Sequence, residues 1–261
     1  MLDLKNKYDR IDNIIYENNV PVIQLLQNFI NLYDLKDNVI SYMNRYMDMF
    51  PDLYKTLKPE NNMKIVKVFI DLETTGVFVQ KNGIHQIAGC IEIDDKVVEN
   101  FNFKVRPNPK AIINPDALAV SNVTEEQVLA YPEMGIVYNQ FLAMLSKYCD
   151  RYNAKDKMWL VGYNNRSFDD IFLRAWFEQN GDSYFGSWFW SDSLDVMILA
   201  SQYLIQRRRS MSSFKLKGVA KELGIIVDET KLHDASYDIY LTREIYRVVT
   251  GLNLEPNDEL F

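Results

Sequence analysis

Five residues able to bind a metal ion or move a proton are spread over most of this chain. Two acids lie close together, a third acid lies further along, and a histidine and a fourth acid lie near the end: Asp71, Glu73, Asp169, His233 and Asp238. Carboxylates that face one point repel each other and lose hydration, which costs several kcal/mol unless a cation lies between them. Hard oxygen ligands select Mg²⁺ or Mn²⁺, and a pair of such ions is suited to cleaving phosphodiester bonds. These residue types therefore predict a metal site if the fold brings the segments together.

The first acidic pair follows an apolar run, residues 64–70, that predicts a buried strand. Because strand side chains alternate, Asp71 and Glu73 should project from one face of the sheet and Leu72 from the other. The next three residues predict a turn in which glycine lets the backbone pass close to a ligand. They are Thr74, Thr75 and Gly76.

The elements that must hold these residues can be read from the periodicity of the sequence. Further strands are predicted at 84–93, 97–105, 158–162 and 188–190, with a turn at Asp94-Asp95 joining the first two of these. Thr124 with Gln127 predicts a helix start of the capping-box type. Longer helices are predicted at 133–152, 168–180, 192–203, 214–223 and 234–249. Three strands in succession, followed by strands that alternate with helices, predict an α/β fold with a mixed five-stranded sheet flanked by helices.

The chain is predicted to consist of three parts. Residues 1–62 contain no glycine and show helical periodicity, which predicts an N-terminal all-helical extension. This extension is expected either to pack on the main domain or to dock another protein. Residues 63–251 form the predicted catalytic domain, and residues 252–261 form a C-terminal tail.

Three motifs resemble those of the DEDDh, or DnaQ-like, 3′→5′ exonuclease superfamily, whose familiar member is the proofreading subunit of bacterial DNA polymerase. The first is the segment 69–76, Phe-Ile-Asp-Leu-Glu-Thr-Thr-Gly, and the second is Phe168-Asp169 with asparagines before it. The third is the segment 233–242, in which His233 lies five residues before Asp238. Relatives of the tyrosine type carry Tyr four residues before that last acid, where this chain has Asp234. The resemblance covers residues 64 to 250 and implies a ribonuclease H-like fold.

The resemblance implies a role for each of the five residues. Asp71 is expected to bridge two divalent cations, Mg²⁺ or Mn²⁺. Glu73 and Asp238 are expected to complete the site of the ion that activates water, and Asp169 to hold the second ion. His233 is the expected general base. The other histidine, His85, lies on a predicted strand and is interpreted as structural.

Substrate contacts are also implied, with alternatives left open. The residues concerned are Leu72, Thr74, Thr75, Gly76, Asn164, Asn165, Phe168 and Arg209. Leu72 either presses against the terminal base or packs in the core, and the residues 74–76 either approach the terminal nucleotide or form a plain turn. The segment between Gly162 and Phe168 is one residue longer than common forms, so either asparagine can match the family position. Relatives often have His-Gly-Ile before the Thr at 124, where this chain has the segment 121–123, Ser-Asn-Val. Arg209 belongs to a basic stretch that contacts phosphates or is a solvated loop.

Composition sets further bounds on the kind of protein. The chain has 261 residues, with 48% hydrophobic and 13% aromatic residues, enough for a folded core, and a net charge of −7 that argues against a broad nucleic-acid-coating surface. Its two cysteines have no metal-ligand spacing. The sequence shows neither a signal peptide nor an apolar run of membrane-spanning length, so a soluble cytoplasmic protein without a membrane partner is expected.

Together these observations predict a metal-dependent 3′→5′ exonuclease acting on single-stranded or frayed 3′ ends. DNA is the favoured substrate and RNA is the alternative, with nucleoside 5′-monophosphates as products. Expected partners are nucleic-acid 3′ ends and a polymerase or other protein that docks on residues 1–62. The competing hypothesis is an exonuclease-fold protein that binds nucleic acid or a partner mainly through its N-terminal helices. A sequence-specific endonuclease is a weaker alternative, because that class usually lacks the spaced pair of His233 and Asp238.

Overall fold

The structure is a computed structural model that describes residues 64–230 and 235–252. The chain divides into two units, 1–62 and 63–261. The predicted N-terminal helices, His233 and residues 253–261 of the predicted tail therefore lie outside the described residues. Within the described part no helix is both long enough and apolar enough to cross a bilayer.

The described residues form a mixed five-stranded sheet with helices on both faces. The strands are β1 (Val66–Thr74), β2 (Ile84–Ile93), β3 (Lys96–Lys104), β4 (Trp159–Gly162) and β5 (Leu194–Asp195). The helices are α1 (Pro115–Val120), α2 (Glu125–Leu129), α3 (Met134–Leu145), α4 (Asp169–Gln179), α5 (Val196–Tyr203), α6 (Leu216–Glu222) and α7 (Ala235–Thr250). Short 3₁₀ turns occupy Asn165–Ser167, Phe185–Ser187 and Arg208–Ser210.

The sheet order, β3-β2-β1-β4-β5, places β1 at the centre. β2 pairs antiparallel with β1 and β3, whereas β4 is parallel to both β1 and β5. Asp94 and Asp95, with φ of 48° and 67°, make the tight hairpin turn between β2 and β3, as the sequence predicts. Because β1, β4 and β5 run in the same direction, their carboxyl ends meet at one edge of the sheet. The ribonuclease H-like mixed sheet predicted from the sequence is confirmed.

Each face of β1 packs against a different core. Val66, Val68, Ile70 and Leu72 belong to the apolar cluster that also contains residues of α3 and α4. Phe69 lies on the opposite face, in the cluster formed with α5, α6 and α7. Asp71 and Glu73 share the side of Phe69 because strand side chains alternate. The acidic pair therefore faces the layer that contains α7.

Two predicted elements differ from the structure. The fifth strand is Leu194–Asp195, not 188–190, and Phe189 contributes only an isolated bridge to Met158. The bulky rings of Trp188 and Phe189 are buried in the core, and this packing requirement overrides their preference for strands. The predicted helix 192–203 accordingly begins only at Val196, after Asp195 has closed the strand.

The helix predicted for residues 133–152 ends at Leu145. Beyond it, the side chain of Asp150 accepts a hydrogen bond from the N–H of Tyr152, and the side chain of Asp156 accepts one from the N–H of Asp150. Such local bonds between side chains and backbone compete with helical hydrogen bonds. They account for the non-helical backbone at the end of the predicted range, residues 150–152.

Candidate active site

Asp169 is bound to the backbone of the central strand. It is the first residue of α4, and its Oδ1 accepts a hydrogen bond of 3.0 Å from the backbone N–H of Leu72. Leu72 lies between the two acids of β1, so this bond fixes Asp169 beside Asp71 and Glu73. Asp169 is buried, with a relative exposure of only 6%. Two of the three predicted motifs thus meet at the carboxyl end of β1.

Asp238 comes from the first turn of α7, which packs against β1. Its charge acts on Asp71: burial, followed by the charges of Asp169, Glu73 and Asp238, raises the pKa of Asp71 well above its ordinary value. Burial also raises the pKa of Asp169 to about 7, although the N–H of Leu72 opposes this effect. Acids from three distant segments therefore act on the buried Asp71.

This donor set has the chemistry that Mg²⁺ or Mn²⁺ prefers. Bound cations would relieve the repulsion that raises the pKa of Asp71, and carboxylate oxygens are their usual protein ligands. Within residues 64–230 and 235–252, no group of three or more acidic, histidine or cysteine side chains is placed so that it could hold a metal ion. The fit therefore rests on the type and convergence of the donors. The predicted general base, His233, lies outside the described residues.

Glu73 is held by a residue to which the sequence analysis gave no role. The hydroxyl of Ser121 donates a hydrogen bond of 2.5 Å to Glu73 Oε2. Ser121 follows α1 and stands where relatives often have His-Gly-Ile, so the departure from the family pattern is the signal that pointed to this segment. Hydrogen bonds of this kind orient carboxylates that bind metal.

The turn after β1 is held together by its own side chains. Thr74 Oγ1 donates to the carbonyl of Gly76 at 2.7 Å, and Thr75 Oγ1 donates to the carbonyl of Ile112 at 2.9 Å. The N–H of Thr75 donates to the carbonyl of Gly83. A Cβ at Gly76 would come within 2.5 Å of the Asn82 side chain, so only glycine fits there. These contacts give the predicted residues 74–76 a structural role in shaping the turn.

The loop that leads to Asp169 is held by an acid to which the sequence analysis gave no role. Asp195, 5% exposed, accepts hydrogen bonds from the backbone N–H of Asn164 at 3.0 Å and of Arg166 at 3.4 Å. Asn164 has a left-handed backbone with φ of 61°. Asn165 is fully buried, and its amide has no hydrogen-bond partner among the described residues.

The remaining predicted substrate residues are not gathered at one point. The side chain of Leu72 is buried in the core, which favours the packing alternative. The ring of Phe168 is half-buried and lies 4.9 Å from the ring of Phe172. Arg209 is exposed in the 3₁₀ turn Arg208–Ser210, and no described contact joins it to the carboxylates.

Comparison with known proteins gives one family and several relatives. The family model described as Exonuclease (RNase_T) matches residues 68–246. DNA polymerase III subunit epsilon of Pasteurella multocida is 23% identical over 204 residues, which cover 76% of this chain and 73% of that protein. The PolC-type DNA polymerase III of Mycoplasmopsis pulmonis is 24% identical over 220 residues, which cover 82% of this chain but only 13% of the polymerase.

Solved structures with this fold include exonuclease I. One exonuclease I structure matches with a TM-score of 0.58 and 21% identity, covering 72% of this chain and 41% of that one. The Escherichia coli enzyme in complex with a dT13 oligonucleotide matches with a TM-score of 0.56 and 22% identity, covering 71% and 41%. The chain thus spans less than half of these structures. At this level of identity the likeness shows the fold.

Proposed function

This chain belongs to the Exonuclease family, and from that premise we propose that it is a metal-dependent 3′→5′ exonuclease. It hydrolyses phosphodiester bonds at the 3′ ends of single-stranded or frayed nucleic acid and releases nucleoside 5′-monophosphates. One observation carries the proposal: Asp71 is buried near three other carboxylates, so that burial first, and then the charges of Asp169, Glu73 and Asp238, raise its pKa well above the ordinary value. Without a bound cation, repulsion between these carboxylates lowers the stability of the folded chain, and a bound cation would remove that cost.

The proposed roles follow from position. Asp71, on which the charges of the other three acids act, would hold both of two divalent cations, Mg²⁺ or Mn²⁺. Glu73 and Asp238 would complete one cation site, and Asp169 would hold the other. When bound, such a pair stabilises charge on the attacking and leaving oxygens of an in-line displacement. His233 would take the proton from the attacking water, a task suited to an imidazole at neutral pH.

DNA is the proposed substrate class, with RNA as the alternative. The support comes from the relatives: one is a subunit of DNA polymerase III, and exonuclease I has been solved with a dT13 oligonucleotide. By the same likeness we propose that residues 1–62 dock a polymerase or another protein. We place the activity in the cytoplasm, where the two buried thiols of Cys90 and Cys149 would stay reduced.

The test is a degradation assay with 5′-labelled single-stranded DNA and RNA in Mg²⁺ or Mn²⁺. The expected result is a ladder that shortens from the 3′ end, is abolished by a chelator and is lost in Asp71→Ala. The matched control is Glu178→Gln, an exposed acid nine residues after Asp169 on α4, which should keep full activity. Activity that survives Asp71→Ala refutes the carboxylate assignment, and a chain that degrades nothing favours a binding protein. A pH–rate profile that His233→Ala leaves unchanged refutes the histidine as base.

A further inference from the structure

An aromatic ring and a lysine are exposed together on the turn that follows β1. The side chain of Phe78 has a relative exposure of 61% and that of Val77 has 67%. The Nζ atom of the exposed Lys81 lies 5.7 Å from the centroid of the Phe78 ring. An exposed aromatic ring beside a lysine is suited to binding single-stranded nucleic acid. The ring can stack on a base, and the lysine attracts a phosphate.

The backbone beneath this ring is fixed by a buried side chain. Asn82 is only 7% exposed, and its Oδ1 accepts a hydrogen bond of 2.9 Å from the N–H of Phe78. Its Nδ2 donates to the carbonyl of Ile112 at 2.7 Å. The N–H groups of Lys81 and Asn82 both donate to the carbonyl of Phe78 at 2.8 Å. Phe78 is therefore held outward by a closed turn, so that little entropy is lost when a ligand packs against it.

The turn directly follows the strand that carries Asp71 and Glu73. Phe78 is five residues after Glu73, so the chain between them spans at most about 18 Å. Successive bases of a strand are about 3.4 Å apart. A strand whose 3′ end lies at the carboxylates can therefore reach Phe78 with one of its last few nucleotides. Ile112, which is bound to the turn through its backbone and is 58% exposed, extends the apolar surface.

We propose that Phe78 and Lys81 form a binding platform for the unpaired 3′-terminal segment of the substrate strand. Phe78 stacks on one base and Lys81 contacts a phosphate of the same strand. This inference rests on the proposed function and deepens it, because the platform selects single-stranded ends without reading their sequence. A base inside a duplex is stacked on both faces and cannot pack against the ring, so the platform favours unpaired ends over paired ones.

The first experiment measures binding of a 5′-fluorescein-labelled oligo(dT) by anisotropy in Mg²⁺, with Asp71→Asn as the parent protein to prevent cleavage. Adding Phe78→Ala should weaken binding roughly 5- to 150-fold, the loss expected for one stacked base, and Phe78→Trp should restore it. Lys81→Gln should lower the slope of log affinity against log salt by about one. The matched control is Tyr152→Ala, an aromatic that is 91% exposed and has the Arg151 guanidinium 6.0 Å from its ring. It precedes β4, at the opposite end of the sheet from Glu73, and should leave binding unchanged.

The second experiment places a single abasic site at each of the last six positions of the oligonucleotide. In the parent protein an abasic site at one of these positions should weaken binding, because the ring loses the base on which it stacks. Phe78→Ala should abolish the effect of that abasic site and leave the effects of the other abasic sites unchanged. Binding of Phe78→Ala equal to that of Tyr152→Ala, or abasic effects that Phe78→Ala leaves unchanged, overturns the platform. If the wild-type chain still degrades the strand in that case, the proposed function stands. A wild-type chain that neither binds nor shortens the strand overturns the proposed function, and the platform with it.

Discussion

A buried group of charges connects the central strands to the helix that carries Asp238. Glu92 on β2 accepts a hydrogen bond of 2.9 Å from Lys67 Nζ on β1. Its other oxygen accepts from Arg243 on α7, from Nε at 3.1 Å and from Nη2 at 2.9 Å. The side chains of Glu92 and Arg243 are each only 2% exposed, and that of Lys67 is 6% exposed. Lys67 also contacts Asp95.

Removing Glu92 should therefore lower the free energy of unfolding. Glu92→Ala leaves Lys67 and Arg243 buried without their common partner, and such a loss costs about 3–5 kcal/mol. For a domain of this size the melting temperature should fall by roughly 6–20 °C. Activity should fall at temperatures well below the melting point, because Asp238 lies on the same helix as Arg243. The free energy of unfolding is measured by urea titration followed by tryptophan fluorescence.

The control is a triple variant in which all three charges become apolar, Lys67→Met, Glu92→Leu and Arg243→Met. Replacing a whole buried ion group by apolar side chains of similar volume is often neutral or stabilising. We expect the free energy of unfolding of this variant to be within about 1 kcal/mol of the wild-type value, or higher. The reasoning is refuted if Glu92→Ala costs less than about 1 kcal/mol, or if the triple variant is as unstable as the single one.

Three further predictions concern the site and its surroundings. In a chelator, Asp71→Asn should raise the free energy of unfolding by about 0.5–2 kcal/mol, because it removes one of four mutually repelling carboxylates, while it abolishes degradation of DNA. Ser121→Ala should lower kcat/KM for oligonucleotide degradation by roughly 10- to 100-fold, because Glu73 loses the donor that orients it. Burial, with a contribution from Lys104, lowers the pKa of His85 to about 4. Between about pH 6.5 and pH 4 the histidine is therefore protonated in the unfolded chain and neutral in the native chain. Stability is thus lost as pH falls through that window, and urea titrations at both ends should show that His85→Leu avoids a loss of about 3 kcal/mol.

Each of these predictions has an outcome that contradicts it. Unchanged stability of Asp71→Asn in a chelator would mean that the carboxylates do not strain the metal-free protein. For Ser121→Ala the control is Ser210→Ala, whose hydroxyl bonds only to the carbonyl of Arg207 among the described residues; an equal effect in both would remove the assigned role. Identical acid sensitivity of the wild type and His85→Leu would show that His85 does not titrate on unfolding.

Much of the fold was predictable because its signals are local. The hairpin between β2 and β3 needs only two alternating strands and the short turn at Asp94 and Asp95. The start of α2 needs only Thr124 and Gln127, whose reciprocal hydrogen bonds the structure contains. Convergence of the acidic motifs was expected from the family resemblance.

Other features depend on contacts between distant segments and have no local signal. Ser121 meets Glu73 across 48 residues, and Arg243 meets Glu92 across 151. Both contacts depend on the position at which a helix packs against the sheet. Sequence periodicity predicts which face of a helix is buried but does not predict that position. The fifth strand was misplaced because Trp188 and Phe189 have the composition of a strand but are used to fill the core, whereas β5 itself has only two residues.

The distribution of the four acids along the chain has a consequence for protein synthesis. Asp71 and Glu73 leave the ribosome early, Asp169 follows, and Asp238 arrives with the final helix, α7. Domains generally fold as units, and α7 packs on one face of the sheet, so the nascent polypeptide lacks both Asp238 and a closed core until translation of this domain is almost finished. With the four acids in the roles proposed above, we expect the nascent chain to be inactive toward the nucleic acids around it.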